Sequence, residues 1–320
     1  MPRPATRRAH PGIRLDTTAR VRWDVAVTTD TPTDVFEEHR PLLLGVAYRM
    51  LGRVADAEDV VQDAWLRWAG ADRSDVREPR AYLVRITTRL AIDRLRQIKA
   101  RGETYVGPWL PEPYVTAYED TVPDTAERAL LADSVSLAVL VVLESLSPLE
   151  RAVFVLREAF GYPYAEIAAL LDRGEPAVRQ MAGRARKHVD ERRSRYDVDP
   201  VQRRDLTERF LAAAEEGDLT GLMALLAPDV RLVGDSGGKS RAPLRILRSA
   251  DKVGRFLLGA AEKRGPMSFR MLEVNGGPAI LAMDGDRPDS VFQLDVLDGR
   301  VQSVYIIRNP DKLRSFAADA

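Results

Sequence analysis

The chain has 320 residues, with 48 Lys plus Arg balanced by 48 Asp plus Glu, three histidines and no cysteine. Disulfide staples, thiolate metal sites and cysteine nucleophiles are therefore excluded, and His10, His39 and His188 are too scattered for a metal set. An apolar content of 45% suits two or three packed domains, and no apolar run reaches the length of a membrane helix or a signal-peptide core, so a cytoplasmic protein is expected.

Residues 1–33, rich in Arg, Pro and Thr without a sustained period, read as a disordered tail. From Asp34 to about Arg101 helical signals dominate, broken at Gly52, at Gly70 to Ser74 and at Glu78-Pro79, which predicts a compact all-α unit over 34–101. Between Ala55 and Trp68, Asp56, Asp59 and Asp63 recur on one helical face, while Ala57, Val61, Ala64, Trp65 and Trp68 are left for packing. Such an acidic stripe calls for a basic partner. The next helix, about Arg80 to Arg101, gathers Arg85, Arg89, Arg96 and Lys99 within roughly eighty degrees and turns Leu83, Ile86 and Leu90 the other way. That stripe can track a phosphate backbone, a solvated surface being the plainer alternative.

In residues 102–125, Pro108, Pro111, Pro113 and Pro123 forbid a continuous helix. With Trp109, Tyr114 and Tyr118 among Glu112, Glu119, Asp120 and Asp124, the segment reads as an acidic, partly extended linker with aromatic anchors between two helical units. Helices return over 126–196, where Ser147 caps a helix with Pro148 in its first turn. Tyr164 to Val189 reads as two short helices around Asp172-Arg173-Gly174. The second helix packs through Val178, Met181, Ala182, Ala185 and Val189 and turns Arg179, Gln180, Arg184 and Lys187 outward, with Arg186 at the edge of that face. This is a helix-turn-helix pattern whose basic helix can enter a major groove; an ordinary helical hairpin is the alternative.

Beyond Asp199, Leu206 to Ala214 and Leu219 to Leu226 predict a helical hairpin around Gly217. Strand-like runs follow at Val230 to Gly234, Ser268 to Val274, Ala279 to Met283, Val291 to Leu297 and Val301 to Ile307. Hairpin signals at Asn275-Gly276-Gly277, Asp284-Gly285-Asp286 and Asp298-Gly299 make residues 200–320 an α+β domain with a curved antiparallel sheet wrapped by helices. A carboxylate in an apolar pocket can abstract a proton beside a carbonyl, and Asp235, Asp284 and Asp295 are conceivable bases. Non-catalytic roles read more strongly, since Asp284 sits in a turn, Asp235 adjoins a glycine-rich loop and no histidine or tyrosine pair accompanies Asp295. The Gly237-Gly238-Lys239 loop likewise reads as a surface turn before it reads as an anion site.

Arg40 to Trp68 followed by Arg80 to Arg96 resembles region 2 of the extracytoplasmic-function sigma factors, and Leu146 to Val189 resembles their region 4. The rest is similar to one subgroup with three marks: Trp109-Leu110-Pro111-Glu112-Pro113, Asp235-Ser236-Gly237-Gly238-Lys239 and Asn309-Pro310-Asp311-Lys312-Leu313. Its C-terminal extension is a SnoaL-like, nuclear-transport-factor-2-like cone. The resemblance implies a multidomain protein, two all-α sigma domains plus an α+β cone, without catalytic residues, cofactor or metal. It implies that Asp56, Asp59 and Asp63 face the β′ clamp helices of RNA polymerase core. It further implies that Arg80, Tyr82, Arg85, Arg89, Arg96 and Lys99 engage the promoter minus-ten element, and Arg179, Gln180, Arg184, Arg186 and Lys187 the minus-35 element. The three marks would join the cone to the sigma regions as a built-in regulator, with no membrane partner and with a small ligand in the cone left open.

Two departures stand out. Ser236 replaces a glycine of the subgroup's second mark, and Gly174-Glu175-Pro176 replaces a hydroxyl cap before the second helix of the helix-turn-helix. A stand-alone ligand-sensing helix-turn-helix regulator and a cone-fold isomerase fused to a DNA-binding module are the competing readings. The acidic stripe and the two separate basic units favour the sigma factor, since a lone regulator needs one reading head.

Overall fold

The computed structural model describes residues 31–101, 105–118, 136–191, 199–263 and 265–316. Most of the tail expected over 1–33, part of the linker and the start of the second helical unit at 119–135, and the basic run at 192–198 lie outside the described residues.

Helix α1 (Pro32–Leu51) starts at a capping box in which Thr31 and Asp34 satisfy each other's backbone N–H groups, and it ends where Gly52 turns left-handed at φ 68°. Helix α2 (Val54–Ala69) packs on it through Trp65 against Phe36 (5.1 Å), and helix α3 (Pro79–Arg101) meets α2 through Tyr82 against Trp68 (5.8 Å). The second helical unit holds α4 (Leu137–Leu143), α5 (Pro148–Phe154), one π-helical turn at Val155–Ala159, α6 (Tyr164–Leu171) and α7 (Glu175–Asp190). Ser147 and Glu150 form the capping box of α5, as the Ser-Pro signal predicts. Helix α6 stops at Asp172, itself left-handed at φ 51°, and α7 begins after Gly174 with no side-chain cap, Pro176 opening the turn instead.

The two helical units do not sit apart on a tether, as the linker's composition led us to expect. Leu43, Met50, Leu83 and Ala91 of the first join Val153, Leu156, Ile167 and Val178 of the second in one continuous buried cluster. The fully buried Arg151 fastens them, its Nη1 donating to Met50 O and to Glu144 Oε1, both at 2.7 Å.

The C-terminal unit comprises α8 (Pro200–Glu215), α9 (Leu219–Leu225), β2 (Leu226–Asp235), β3 (Leu247–Arg248), α10 (Ala250–Glu262), β4 (Ser268–Val274), β5 (Gly277–Asp284), β6 (Arg287–Leu297) and β7 (Arg300–Ile307). Each of the five predicted strands is present, most with added residues. Helix α10, strand β3 and a strand β1 (Val115–Tyr118) inside the linker were not foreseen. The sheet runs β1-β4-β5-β6-β7-β2-β3, all neighbours antiparallel except β2 with β7. The linker thus supplies an edge strand of the C-terminal sheet. Alternation along the strands splits the side chains into two layers. Phe269, Ile280, Phe292, Leu294 and Ile306 face the concave core beneath α8 and α10. Leu272, Val274, Leu281, Val291, Tyr305 and Ile307 face a convex core that also takes in Leu110 and Val115 of the linker and Leu137 of α4.

Candidate nucleic-acid interface and linker site

Of the three carboxylates in the acidic stripe, Asp59 and Asp63 are exposed on α2. Asp56 is not: it is 5% exposed, and its carboxylate accepts from Arg94 of α3 at 2.6 Å with Arg53 at 3.6 Å. Placing all three on an outward row is therefore corrected, because the start of α2 leans on α3 and uses Asp56 to neutralise Arg94. Leu66, three residues after Asp63 and 61% exposed, takes its place on the outward face, an apolar side chain among acids.

On α3, Arg96 and Lys99 are exposed, Arg96 reaching Asp93 at 3.1 Å. Tyr82 is half-buried against Trp68, and Arg80 lies over the Tyr162 ring at 5.7 Å. Arg85 and Arg89 both turn to Asp172 of the helix-turn-helix, Arg85 at 3.6 Å and Arg89 in direct hydrogen-bonded contact. On α7, Val178, Ala182, Ala185 and Val189 are buried while Arg179, Gln180, Arg184, Arg186 and Lys187 are exposed, matching the expected division of faces. All four of these bases carry a carboxylate partner: Arg179 with Glu175, Arg184 with Glu150 at 3.1 Å, Arg186 with Glu158 at 2.6 Å, and Lys187 with Glu191 at 3.9 Å. Glu150 is held below the usual carboxylate range by its hydrogen bonds to Ser147 and by Arg184.

The three marked segments meet in one buried site. Asp235, fully buried at the end of β2, accepts from Leu110 N–H at 2.8 Å and from Lys312 Nζ at 2.7 Å, and the Tyr105 hydroxyl donates to its other oxygen. Lys312 Nζ also reaches Leu110 O and lies 4.2 Å from the centre of the Trp109 ring. Burial pulls the Lys312 ammonium below the usual lysine range, with Asp235 opposing that shift. Asn309 Nδ2 donates to the Tyr105 hydroxyl at 2.8 Å, and Lys239 pairs with Asp311 outside the site. Gly237 and Gly238 hold φ 56° and 75°, and a Cβ on Gly237 would lie 2.6 Å from Asn309 Nδ2. Ser236 has no left-handed backbone, so serine replaces glycine there without strain.

On its other side the same linker grips α1. Glu112 takes Val54 N–H at 3.0 Å, its backbone N–H donates to Gly52 O at 2.8 Å, and burial raises its carboxyl above the usual range. The buried Tyr48 hydroxyl donates to Glu112 O and receives Asn275 Nδ2, both at 2.7 Å, which ties α1, linker and the β4–β5 turn together. The catalytic candidates disperse. Asp235 pairs in register with Ile307 on the convex face, Asp295 lies opposite Ser303, and Asp284 is exposed in its turn, so none of them enters the concave pocket.

Residues 35–101 match the family description Sigma-70 region 2, and residues 136–189 match Sigma-70, region 4. The chain is 42% identical to the ECF RNA polymerase sigma factor SigJ of Mycobacterium tuberculosis, across 87% of this chain and 91% of that one. The chain belongs to the extracytoplasmic-function sigma factors. It is 32% identical to the probable ECF RNA polymerase sigma factor SigI of the same species, across 91% of this chain and 97% of that one. The crystal structure of M. tuberculosis SigJ superposes with a TM-score of 0.73 at 40% identity, covering 88% of this chain and 98% of that one. The sigma factor thus combines regions 2 and 4 with a SnoaL-like C-terminal extension, and it serves promoter recognition and transcription initiation.

Tyr48, Tyr105 and Asn275 of this sigma factor escaped the sequence reading although they complete the linker site. Tyr105 lies four residues before Trp109 in a segment already read as aromatic anchors, a signal that was available. Asn275 carried only its turn signal, and no local pattern connects it to Tyr48, 227 residues away.

Proposed function

We propose that the SnoaL-like unit of this sigma factor is its built-in regulator, holding regions 2 and 4 closed through the linker until polymerase core engages the Asp59, Asp63 and Leu66 face of α2. In this reading that face meets the β′ clamp helices. Arg80, Tyr82, Arg85, Arg89, Arg96 and Lys99 then serve the minus-ten element, and Arg179, Gln180, Arg184, Arg186 and Lys187 the minus-35 element. The carrying observation is the linker, whose Leu110 backbone is bound by Asp235 and Lys312 of the C-terminal unit while Glu112 and Tyr48 seat it on α1. Any signal that loosens the C-terminal unit therefore loosens the strap between the two promoter-reading regions.

The spacing of the promoter elements supports such an opening. The two promoter elements lie about 25 base pairs, or ~85 Å of duplex, apart at a rise of about 3.4 Å per step. In the closed form Arg85 of α3 and Asp172 of the helix-turn-helix are 3.6 Å apart. Both reading surfaces cannot dock while that contact holds.

The test is run-off transcription with polymerase core. Truncation after Asp199 uncovers Leu110, Val115 and Leu137, so aggregation would cloud its result. Asn275→Gly is cleaner: glycine keeps the φ 52° turn and deletes the side-chain amide that donates to Tyr48 and accepts from the Tyr114 N–H of the linker at 3.3 Å. Altered transcription by a folded Asn275→Gly chain is expected, and unchanged transcription defeats the regulator reading. Asp59→Lys with Asp63→Lys should abolish co-purification with core; retained co-purification removes α2 from the docking face.

A further inference from the structure

The linker site uses the convex face of the C-terminal sheet and leaves its concave face with a cavity of about 490 Å³. That volume falls within the range of pockets that enclose a drug-sized molecule, roughly 300–1,000 Å³. Its walls are side chains of the curved sheet and of the two helices over it, among them Phe269, Phe292, Ile306, Phe210 and Phe256. The mouth lies where α8 ends and β4 begins. Among the described lining residues the ionisable ones are Glu215, Glu216 and Glu262, all exposed and all acidic.

We propose that this cavity is a binding site for an uncharged, mainly apolar small molecule, which it holds without chemical change. Aromatic and aliphatic walls reward burial of apolar surface and leave an internal charge unpaired, which excludes ionic groups from the interior. Three carboxylates at the entrance repel anions, so fatty acids and acyl phosphates are disfavoured relative to neutral molecules of the same size. Proton abstraction needs a base within hydrogen-bond reach of the substrate. Among the described lining residues there is no carboxylate besides those at the mouth, and the candidate bases lie elsewhere: Asp235 and Asp295 are in register with the convex-face residues Ile307 and Ser303, and Asp284 is in a turn.

The probe is N-phenylnaphthylamine, whose emission rises in apolar surroundings, compared with anilinonaphthalenesulfonate, which carries the same rings plus a sulfonate. With the full-length chain the neutral probe should saturate at one per chain, and the sulfonate should bind about tenfold more weakly or worse. Ala214→Trp, which places an indole in the cavity, should weaken the neutral probe by about tenfold or more without lowering the melting temperature. If that variant is unstable, Met267→Trp at the mouth serves the same purpose with less disturbance of the core. Failure of the neutral probe to bind overturns the proposal, as does binding unaffected by both substitutions. Equal binding of the sulfonate overturns the choice of an uncharged ligand. Probe binding reports on the cavity and run-off transcription on regulation, so either can fail without the other.

Discussion

At the scale of single residues the protein depends most on Asp235 and Lys312, an ion pair with 0% and 3% side-chain exposure. Two charges at that depth persist because each has further partners: Asp235 has Leu110 N–H and the Tyr105 hydroxyl, and Lys312 has Leu110 O and the Trp109 ring. Removing one partner leaves the other buried and uncompensated. Asp235→Ala should therefore lower unfolding stability by about 3–5 kcal/mol in urea titrations, with much of the loss recovered when Lys312→Met is added. A near-neutral single variant would mean that water already serves the pair. Glu112 gives a pH-dependent counterpart. Burial raises its folded pKa above the ordinary carboxylate value, so the folded chain binds that proton more tightly than the unfolded chain. The stability contributed by this group is complete below the unfolded value and is lost as pH rises through the raised folded one. Glu112→Gln makes the protonated form permanent and can still accept Val54 N–H through its amide oxygen. It should raise the melting temperature at neutral pH and flatten the acid-side pH profile; a lower melting temperature at neutral pH would show that the Arg53 and Lys312 charges outweigh burial.

Elements differ in how much of their placement the sequence reveals. Alternating apolar runs between Asn-Gly and Asp-Gly turns disclosed the five long strands because each strand has a buried and a less buried side and each turn needs left-handed backbone, as at Asn275 and Asp298. Helix α10 is equally legible, with Val253, Phe256, Leu257 and Ala260 at helical spacing, although it stands between two strand signals. Strand β1 was not, since four residues carry little pattern and its partner β4 begins about 150 positions later. Nor could the stripe on α2 reveal which carboxylate turns inward; the packing of α3 decides that Asp56 meets Arg94. The junction of α1 with the linker turns on Gly52, whose φ is 68° and whose added Cβ would lie 2.7 Å from Trp109. Gly52→Ala should cost about 1–2 kcal/mol from the left-handed backbone alone. Displacement of Trp109 adds to this, so limited proteolysis within 105–118 should quicken while α2 and α3 stay protected. Unchanged cleavage would show that Trp109 can move aside without releasing the linker.

For the molecule as a whole, the question is what holds the promoter-reading surfaces together when polymerase is absent. The shared apolar core and Arg151 supply most of the cohesion, and neither can be changed without damaging a fold. Asp172 offers a gentler handle. It is exposed, it caps α6 with its backbone, and its side chain meets Arg85 and Arg89 across the boundary between the regions. Exposed ion pairs contribute about 0.2–1 kcal/mol each, so losing both should shift the closed-to-open ratio about two- to thirtyfold. Asp172→Arg goes further by placing a third positive charge beside two others, while leaving both hydrophobic units unaltered. Its side chain departs from a left-handed position that aspartate tolerates better than arginine, so a modest loss of helix-turn-helix stability is expected and is measurable by thermal melting. Small-angle scattering should report a larger radius of gyration than the parent chain, and run-off transcription at limiting core should rise because less free energy is needed to separate the regions. Raising the salt concentration should open the parent chain toward the variant, since exposed charges are screened within about 10 Å at 0.1 M. An unchanged radius at every salt concentration would show that the apolar core alone keeps regions 2 and 4 together, and that polymerase must break it to read a promoter.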